Sequence, residues 1–190
     1  MRIVSDRLML RPWQDADRAP FAEMSADPAV MQYLLPLATR DASDAWIDRQ
    51  MAHLAAHGFC FWAVEADGGF VGTVGLGRIG YTAHFTPAVE IGWRIARAFW
   101  GLGYAPEAAR AALRFGFETA ACPEIVANAG FDNDKSQRVM AKLGMSRDPA
   151  DDFDHPRVPE GDPLRRQVLY RLRRENWLRN PTQSEGEDGS

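Results

Sequence analysis

The chain has 190 residues, of which 46% are hydrophobic and 25% are charged, and its formal net charge is −4. This length and composition predict one globular domain at 1–179 with a hydrophobic core, and they exclude a largely disordered protein. The acidic balance excludes a global field that would attract nucleic acid or an anionic membrane, so we expect neither partner.

The first half of the chain predicts a strand, two helices and a β-hairpin. Polar and apolar residues alternate in the strands, whereas apolar residues recur with helical spacing in the helices. In chain order, these elements are a strand at 7–13, helices at 15–27 and 39–57, and strands at 59–65 and 70–79. The last two strands are joined by Asp67-Gly68-Gly69, which is typical of a hairpin turn.

The second half alternates strands and helices. The predicted elements are a strand at 89–95, a helix at 104–119, a strand at 124–129, a helix at 134–143 and a strand at 167–173. This order predicts a mixed α/β (α+β) fold with a largely antiparallel sheet and about four helices. Residues 180–190 are rich in Ser, Gly and acidic residues, so we expect a disordered acidic tail.

The sequence shows no sign of export or of a membrane span. It has neither an apolar run of signal-peptide length at its N-terminus nor the ~18 apolar residues of a membrane helix. Its two cysteines, Cys60 and Cys122, form no CxxC pair. We therefore expect a cytoplasmic protein, either a monomer or a homodimer.

A glycine-rich turn lies between the strand at 89–95 and the helix at 104–119. Gly101 and Gly103 would let the backbone approach a ligand closely. Successive N–H groups of the turn, together with the helix N-terminus, would form a pyrophosphate site. A GxG sequence before a helix is also found in ordinary tight turns, so the turn alone leaves both interpretations open.

Four segments in a fixed order extend this observation over most of the chain. They are Arg7-Leu8-x-Leu10-Arg11, Glu90-Ile91-Gly92-Trp93, Trp100-Gly101-x-Gly103-Tyr104-Ala105-x-Glu107-Ala108 and Asn133-x-x-Ser136-x-x-Val139-x-x-Lys142-Leu143-Gly144-Met145. Together they resemble the GNAT superfamily of N-acetyltransferases, and within it the branch of bacterial ribosomal-protein serine/alanine N-acetyltransferases. The resemblance implies a GNAT fold, in which the central twisted sheet splays at the cofactor cleft, and acetyl-CoA as the cosubstrate.

The resemblance also implies which residues bind coenzyme A. The strand around Trp93 and Ile95 would pair with the pantetheine arm, and the amides of residues 98–103 would hold the pyrophosphate. The full set of expected cofactor-binding residues is Trp93, Ile95, Arg97, Ala98, Trp100, Gly101, Leu102, Gly103, Tyr104, Ala105, Asn133 and Ser136. The sequence departs from the family pattern at Ala98, where Gln or Arg is usual, and Arg97 is the candidate replacement.

Acetyl transfer to an amine requires proton transfers that two residues are placed to perform. A free amine has a pKa of ~8 to ~10 and must lose a proton before it attacks the thioester, so the site needs a base and a donor for the departing thiolate. Glu90 is the candidate base, directly or through water; a solvated or capping glutamate is the alternative. Ser136 is the candidate acid, because Met140 occupies the family's usual tyrosine position and the ribosomal-protein branch has a serine like Ser136. Alternatively, Asn133 and Ser136 only cap a helix.

Tyr33 and the long loop before the last strand are expected to border the acceptor site together with Glu90. In GNAT folds this loop lies beside the acceptor, and here it carries Asp152, Asp154 and His155. The predicted acceptor-binding residues are therefore Tyr33, Glu90, Asp152 and His155, and the loop carboxylates would attract a cationic amine. A purely structural role for Tyr33 and the loop is the alternative. His53 and His57 lack a third ligand, so no metal site is predicted.

Three functions remain open at this point. The acceptor amine belongs to a protein N-terminus in the first, and to a small molecule such as an aminoglycoside, a polyamine or an amino acid in the second. In the third, the protein is a regulator that binds coenzyme A without catalysis. Met140 in place of the usual tyrosine keeps this last alternative open.

Overall fold

The computed structural model describes residues 1–37 and 39–179. The predicted tail at 180–190 lies outside these residues. The strands are β1 Ile3–Val4, β2 Met9–Arg11, β3 Phe61–Ala66, β4 Gly69–Arg78, β5 Val89–Ile95, β6 Glu124–Gly130, β7 Ser146–Arg147, β8 Phe153–Asp154 and β9 Arg166–Arg173. The α-helices are α1 Arg18–Ala26, α2 Pro28–Met31, α3 Arg40–His57, α4 Tyr104–Arg114, α5 Asp134–Lys142 and α6 Arg174–Leu178.

The four predicted helices are confirmed as α1, α3, α4 and α5, and two short helices are added. Pro28 ends α1 as expected, but it also begins α2, because the Asp27 side chain accepts a hydrogen bond from the Ala29 amide and so caps a new helix. The predicted helix at 104–119 changes character after Arg114, where Phe115–Thr119 forms a π-helical turn.

The strands form one sheet in the order β1-β2-β3-β4-β5-β6-β9-β7, with β8 paired to β9. All neighbouring strands run antiparallel except β5 and β6. This parallel pair is in register only at Glu90 and Val126. Beyond that point the two strands separate, so the predicted mixed fold and the predicted splay of its largely antiparallel sheet are confirmed.

Each face of the sheet carries its own core. On one face, Trp62 and Ile125 pack with Leu113 and Phe117 from the segment that begins with α4, and all four are fully buried. On the other face, Trp13, Phe21 and Ile47 pack as a second cluster, with Trp46 at its edge. The strand β5 contributes to both faces, because alternate side chains of a strand point to opposite sides.

Helix α3 is anchored through His53, one of the two histidines to which the sequence analysis assigned no metal. His53 Nδ1 lies 2.7 Å from the Phe59 carbonyl, and the Arg78 amide donates to His53 Nε2 at 3.1 Å. Both ring nitrogens are therefore used within the fold. No group of three or more His, Cys, Asp or Glu side chains suited to a metal ion is found among residues 1–37 and 39–179.

None of the helices in the described part of the chain has both the length and the apolar character needed to cross a membrane.

Candidate active site

Two adjoining cavities, of about 660 Å³ and 640 Å³, lie along the cleft that opens between β5 and β6. The first cavity extends from the splayed strands to the N-terminal ends of α4 and α5. The second lies over α3, β4 and the loop before β9. The residues that line both cavities mark where they meet: Tyr33, Leu34, Trp93, Arg94, Asn133 and Ser136.

The first cavity ends at the glycine turn that was predicted to bind a pyrophosphate. Gly101 and Gly103 have φ values of 79° and 81°, a backbone region that side chains with a Cβ rarely adopt. Gly103 is the N-cap residue of α4, and no side chain caps that helix end. Pro106 has no N–H, and the Glu107 amide donates to the Gly103 carbonyl, so the first-turn donors left for a ligand are the Tyr104 and Ala105 N–H groups. The helix dipole favours an anion there.

The amides that are available for phosphate are fewer than predicted. The Phe99 and Trp100 amides already donate to the Ala96 and Arg97 carbonyls. Of residues 98–103, this leaves the amides of Ala98, Gly101, Leu102 and Gly103 as expected donors.

Of the twelve residues predicted to bind the cofactor, nine line the first cavity. These nine are Trp93, Ile95, Trp100, Gly101, Gly103, Tyr104, Ala105, Asn133 and Ser136. Arg97, Ala98 and Leu102 do not line it, and all three are exposed. The structure therefore does not support Arg97 as the replacement for the missing family side chain at Ala98.

The side chain of Arg7, in the N-terminal motif, binds the glycine turn. Its Nη1 donates to the Leu102 carbonyl at 2.9 Å, and its Nε donates to the Glu107 carboxylate at 2.7 Å. The guanidinium also lies 5.0 Å from the Tyr104 ring centroid. These contacts hold the turn against the first turn of α4.

The sequence analysis missed three cations on α5 that line the first cavity. Lys135, Arg138 and Lys142 are spaced by three and four residues, so they lie along one face of the helix. The Lys135 amine is 4.4 Å from the Trp100 ring centroid. Their helical spacing is a signal that the sequence already contains, and the charges suit a ligand with several phosphates.

Asn133 and Ser136 have separate roles at the start of α5. The Asn133 side-chain oxygen accepts the Ser136 amide at 3.2 Å, so Asn133 caps the helix. Ser136 stands in the first turn and is not the capping residue. Its half-buried side chain lies where the two cavities meet, which is consistent with a role toward a ligand.

Glu90 lines the second cavity, and it is the residue of β5 that pairs with Val126 of β6. Burial raises the pKa of its carboxyl group to about 7, and the nearby Arg157 opposes this rise. A carboxylate with such a pKa is a suitable base near neutral pH, because it can both take up and release a proton there.

Tyr81, in the loop between β4 and β5, is a further residue that the sequence analysis missed. Its hydroxyl is buried in the second cavity and has no hydrogen-bond partner among residues 1–37 and 39–179. Burial, and then the charge of Glu90, raise the pKa of this hydroxyl. Its ring lies 4.6 Å from the His155 ring. A buried hydroxyl without a partner is costly, so a ligand or a water is its expected partner.

The loop before β9 contributes its histidine to the second cavity but not its carboxylates. His155 lines the cavity, and burial lowers the pKa of its imidazole. Asp152 does not line it: its carboxylate accepts hydrogen bonds from Arg147 at 3.1 Å and 2.5 Å. Asp154 pairs with Arg165 and Arg166. The expectation that Asp152 contacts the acceptor is therefore not supported.

The charges that do line the second cavity are mostly positive. Four arginines, Arg49, Arg78, Arg94 and Arg157, line it together with the single carboxylate of Glu90. The structure does not support the expected attraction of a cationic amine by the loop carboxylates, because Asp152 and Asp154 pair with arginines outside the cavity.

Comparison with known proteins agrees with this geometry. A family model described as an acetyltransferase (GNAT) domain matches residues 7–146, which include β5, the glycine turn and α5. The chain belongs to the GNAT acetyltransferase family. It is accordingly an acetyl-CoA-dependent N-acetyltransferase, and a site for acetyl-CoA is implied by the family.

Three similar proteins place this N-acetyltransferase among its relatives. The Aspergillus fumigatus FsC-acetyl coenzyme A-N(2)-transacetylase is 30% identical over 184 residues, which cover 91% of this chain and 76% of that protein. A GNAT-family acetyltransferase from Bacillus anthracis has a TM-score of 0.75 at 26% identity and covers 92% of this chain and 99% of its own. A proposed ribosomal-protein-serine acetyltransferase from Vibrio cholerae has a TM-score of 0.72 and covers 91% of this chain and 97% of its own. Because the two sequences are only 18% identical, this similarity shows the fold alone.

Proposed function

We infer that this N-acetyltransferase moves the acetyl group directly from acetyl-CoA to a primary amine held in the second cavity. The observation that carries this inference is Glu90, a carboxyl group with a pKa of about 7 that lines the second cavity where β5 and β6 separate. A carboxylate in this position suits removal of the proton from an incoming amine.

The first cavity suits acetyl-CoA. The uncapped N-terminal end of α4 and the Gly101–Gly103 turn would hold the pyrophosphate, and the α5 cations would contact the other phosphate groups. The separated edges of β5 and β6 leave backbone groups for the pantetheine arm. This arm would direct the thioester toward Ser136, where the cavities meet.

In the proposed reaction, the amine nitrogen forms a bond to the thioester carbonyl carbon and the carbon–sulfur bond breaks. Glu90 accepts the proton that the nitrogen loses, directly or through a water held by Tyr81. The Ser136 hydroxyl donates a proton to the departing thiolate and is reprotonated from solvent. This division of roles keeps the base in the acceptor cavity and the acid at the junction.

The acceptor itself is a primary amine of either a protein N-terminus or a small molecule. A small molecule is favoured by two observations. The second cavity is bounded on several sides, by α3, β4 and the loop before β9. The fungal relative, which matches 91% of this chain, is named as an N(2)-transacetylase of FsC.

Incubation with acetyl-CoA and a panel of amines and N-terminal peptides tests this proposal. Mass spectrometry should show an acetylated product in step with release of free coenzyme A thiol. Coenzyme A binding without acetylation of any amine would instead favour the non-catalytic regulator.

A further inference from the structure

Arg94 is a half-buried cation on β5 that has no anionic partner among residues 1–37 and 39–179. Its Nη1 donates to the Ser25 hydroxyl at 3.1 Å, and its guanidinium lies over the rings of Phe21 and Trp46, at 5.4 Å and 5.7 Å from their centroids. Its Nε is buried without a hydrogen-bond partner in the same described residues. Burial lowers the pKa of Arg94 to about 10, so the side chain stays charged at neutral pH.

A cation that is partly removed from water and has no counter-ion is unfavourable for folding, so the charge of Arg94 calls for a functional explanation. Arg94 lines both cavities where they meet. A guanidinium presents several N–H donors in a planar fork that matches a carboxylate. A ligand carboxylate in the cavity would pair with the guanidinium and neutralise its charge.

Arg94 and Glu90 lie on the same face of β5, four residues apart. At ~3.3 Å per residue, their Cα atoms are separated by ~13 Å along the strand. Gly92, halfway between them, has no side chain, and a Cβ there would lie 2.9 Å from the Phe61 ring. Phe61 lines the second cavity. The strand therefore presents a carboxylate at one end, a cation at the other and an aromatic surface between them.

We propose that Arg94 binds a carboxylate of the acceptor, so that the acceptor is an amine that also carries a carboxylate, separated from it by an apolar spacer. This inference rests on the proposed acetylation of an amine beside Glu90. The amine would lie toward Glu90, the spacer over Phe61 and the carboxylate at Arg94. The three other arginines that line the second cavity add to the attraction for an anionic group.

A phosphate of the cosubstrate is the competing partner for Arg94. The side-chain contacts argue against it, because Arg94 packs against Phe21 of α1 and Trp46 of α3. Trp93 and Ile95 instead pack in the core that contains α4. The first cavity also has its own cations on α5.

The kinetic test compares ω-amino acids of increasing chain length, starting at β-alanine, with their primary amides. The wild-type enzyme should favour the carboxylate over its amide by at least tenfold in kcat/KM at one optimal length. Arg94→Met should lower kcat/KM for that carboxylate by about 10- to 100-fold and leave the amide unchanged. Arg94→Lys keeps the charge but loses the planar fork, so its kcat/KM for the carboxylate should lie between the values of wild type and Arg94→Met.

Matched measurements separate the possible sources of these effects. Arg2→Met removes the same charge at an exposed residue that lines neither cavity, and should change nothing. Short peptides with N-terminal Asp or Glu, compared with Asn or Gln, show whether the carboxylate can come from a peptide side chain. The Kd for coenzyme A, measured by calorimetry, should be the same in wild type and Arg94→Met.

Thermal unfolding gives a readout that does not need turnover. Without ligand, Arg94→Met should be at least as stable as wild type, because it removes a half-buried charge that has no counter-ion. With coenzyme A present, the optimal ω-amino acid should raise the Tm of wild type but not that of Arg94→Met.

Equal use of carboxylates and amides by wild type would overturn the assignment of Arg94, as would a loss of coenzyme A affinity in Arg94→Met. Either result leaves amine acetylation intact. Conversely, an Arg94-dependent rise in Tm without acetylation of any amine would uphold the carboxylate site and refute the proposed function.

Discussion

The two cavities of this N-acetyltransferase are built in different ways. The first is formed largely by two local units, β5 with the turn into α4 and the start of α5. The second collects single residues from segments that are far apart in the chain, including Tyr33, Tyr81, Glu90 and His155. Short motifs can specify the first, whereas the second depends on how the whole chain folds. The proposed cosubstrate side can therefore be predicted from local motifs, whereas the proposed acceptor side depends on contacts between distant segments.

Glu90→Gln should give the largest effect, and it tests the acceptor side. The amide keeps the shape of the side chain but cannot take a proton at neutral pH. We expect kcat to fall by about 10²- to 10⁴-fold, with an unchanged Kd for coenzyme A. Steady-state kinetics and calorimetry check the two quantities.

The control for this variant is its stability. Burial raises the folded-state pKa of Glu90 from 4.5 to about 7, so wild type loses stability as the pH rises through this window. Glu90→Gln should therefore raise the Tm at pH 8 more than at pH 5, and the exposed Glu23→Gln should show no such difference. A lower Tm at pH 8 would mean that the Gln variant is damaged rather than catalytically impaired.

Gly103→Val tests the cosubstrate side. The φ of 81° at this N-cap residue resists a β-branched side chain, so valine should shift the backbone of the turn that presents the Tyr104 and Ala105 amides. Loss of one or more hydrogen bonds to a charged phosphate, at about 1.5 to 3 kcal/mol each, predicts a rise in the Kd for coenzyme A of about 10²-fold. Calorimetry on the folded variant gives the value.

Gly161→Val is the matched comparison for Gly103. Gly161 has a φ of 83° with nothing within 4 Å of a Cβ, and it lines neither cavity. It should lose similar stability and keep its affinity for coenzyme A. Equal losses of affinity in both variants would show that the turn has no special part in binding.

Ser136→Ala tests the proposed proton donor at the place where the two cavities meet. Because Asn133 provides the cap of α5, we expect little change in the free energy of unfolding and a fall in kcat of about 10- to 100-fold. Asn133→Ala should instead cost about 1 kcal/mol of stability. An unchanged kcat in Ser136→Ala at saturating substrates would remove Ser136 from the mechanism.

The smallest effect on catalysis is expected from Asp152→Asn. Its carboxylate is bound by Arg147 and only 4% of its side chain is exposed, so the substitution should cost about 1 to 3 kcal/mol of stability. The KM for the acceptor should not change. Denaturant unfolding and acceptor kinetics measure these quantities. A raised KM with unchanged stability would show that Asp152 does contribute to acceptor binding.

The sequence was sufficient for the elements that have many residues and a clear period. The four longer helices and the six main strands follow from apolar spacing, and the glycine turn follows from Gly101 and Gly103. Helices α2 and α6 and strands β1, β7 and β8 were missed because they have two to five residues each, too few for a periodic pattern.

The acceptor side was less predictable because it depends on pairing between distant side chains. The composition of the loop before β9 suggested an acidic surface, but each of its relevant carboxylates pairs with an arginine that the loop sequence alone cannot identify. The role of Arg94 could not be predicted from the sequence either. Its strand position was known, but the absence of an anionic partner for it in the described residues emerges only from the folded structure.

The most direct test of Glu90 as the base is the pH dependence of kcat. The acceptor should be an amine whose own pKa lies below 6, so that its ionisation stays outside the measured range. Glu90 acts as a base only when it is deprotonated, so kcat of wild type should rise with pH through about 7, and this limb should be absent from Glu90→Gln. The same limb in both proteins would contradict the account.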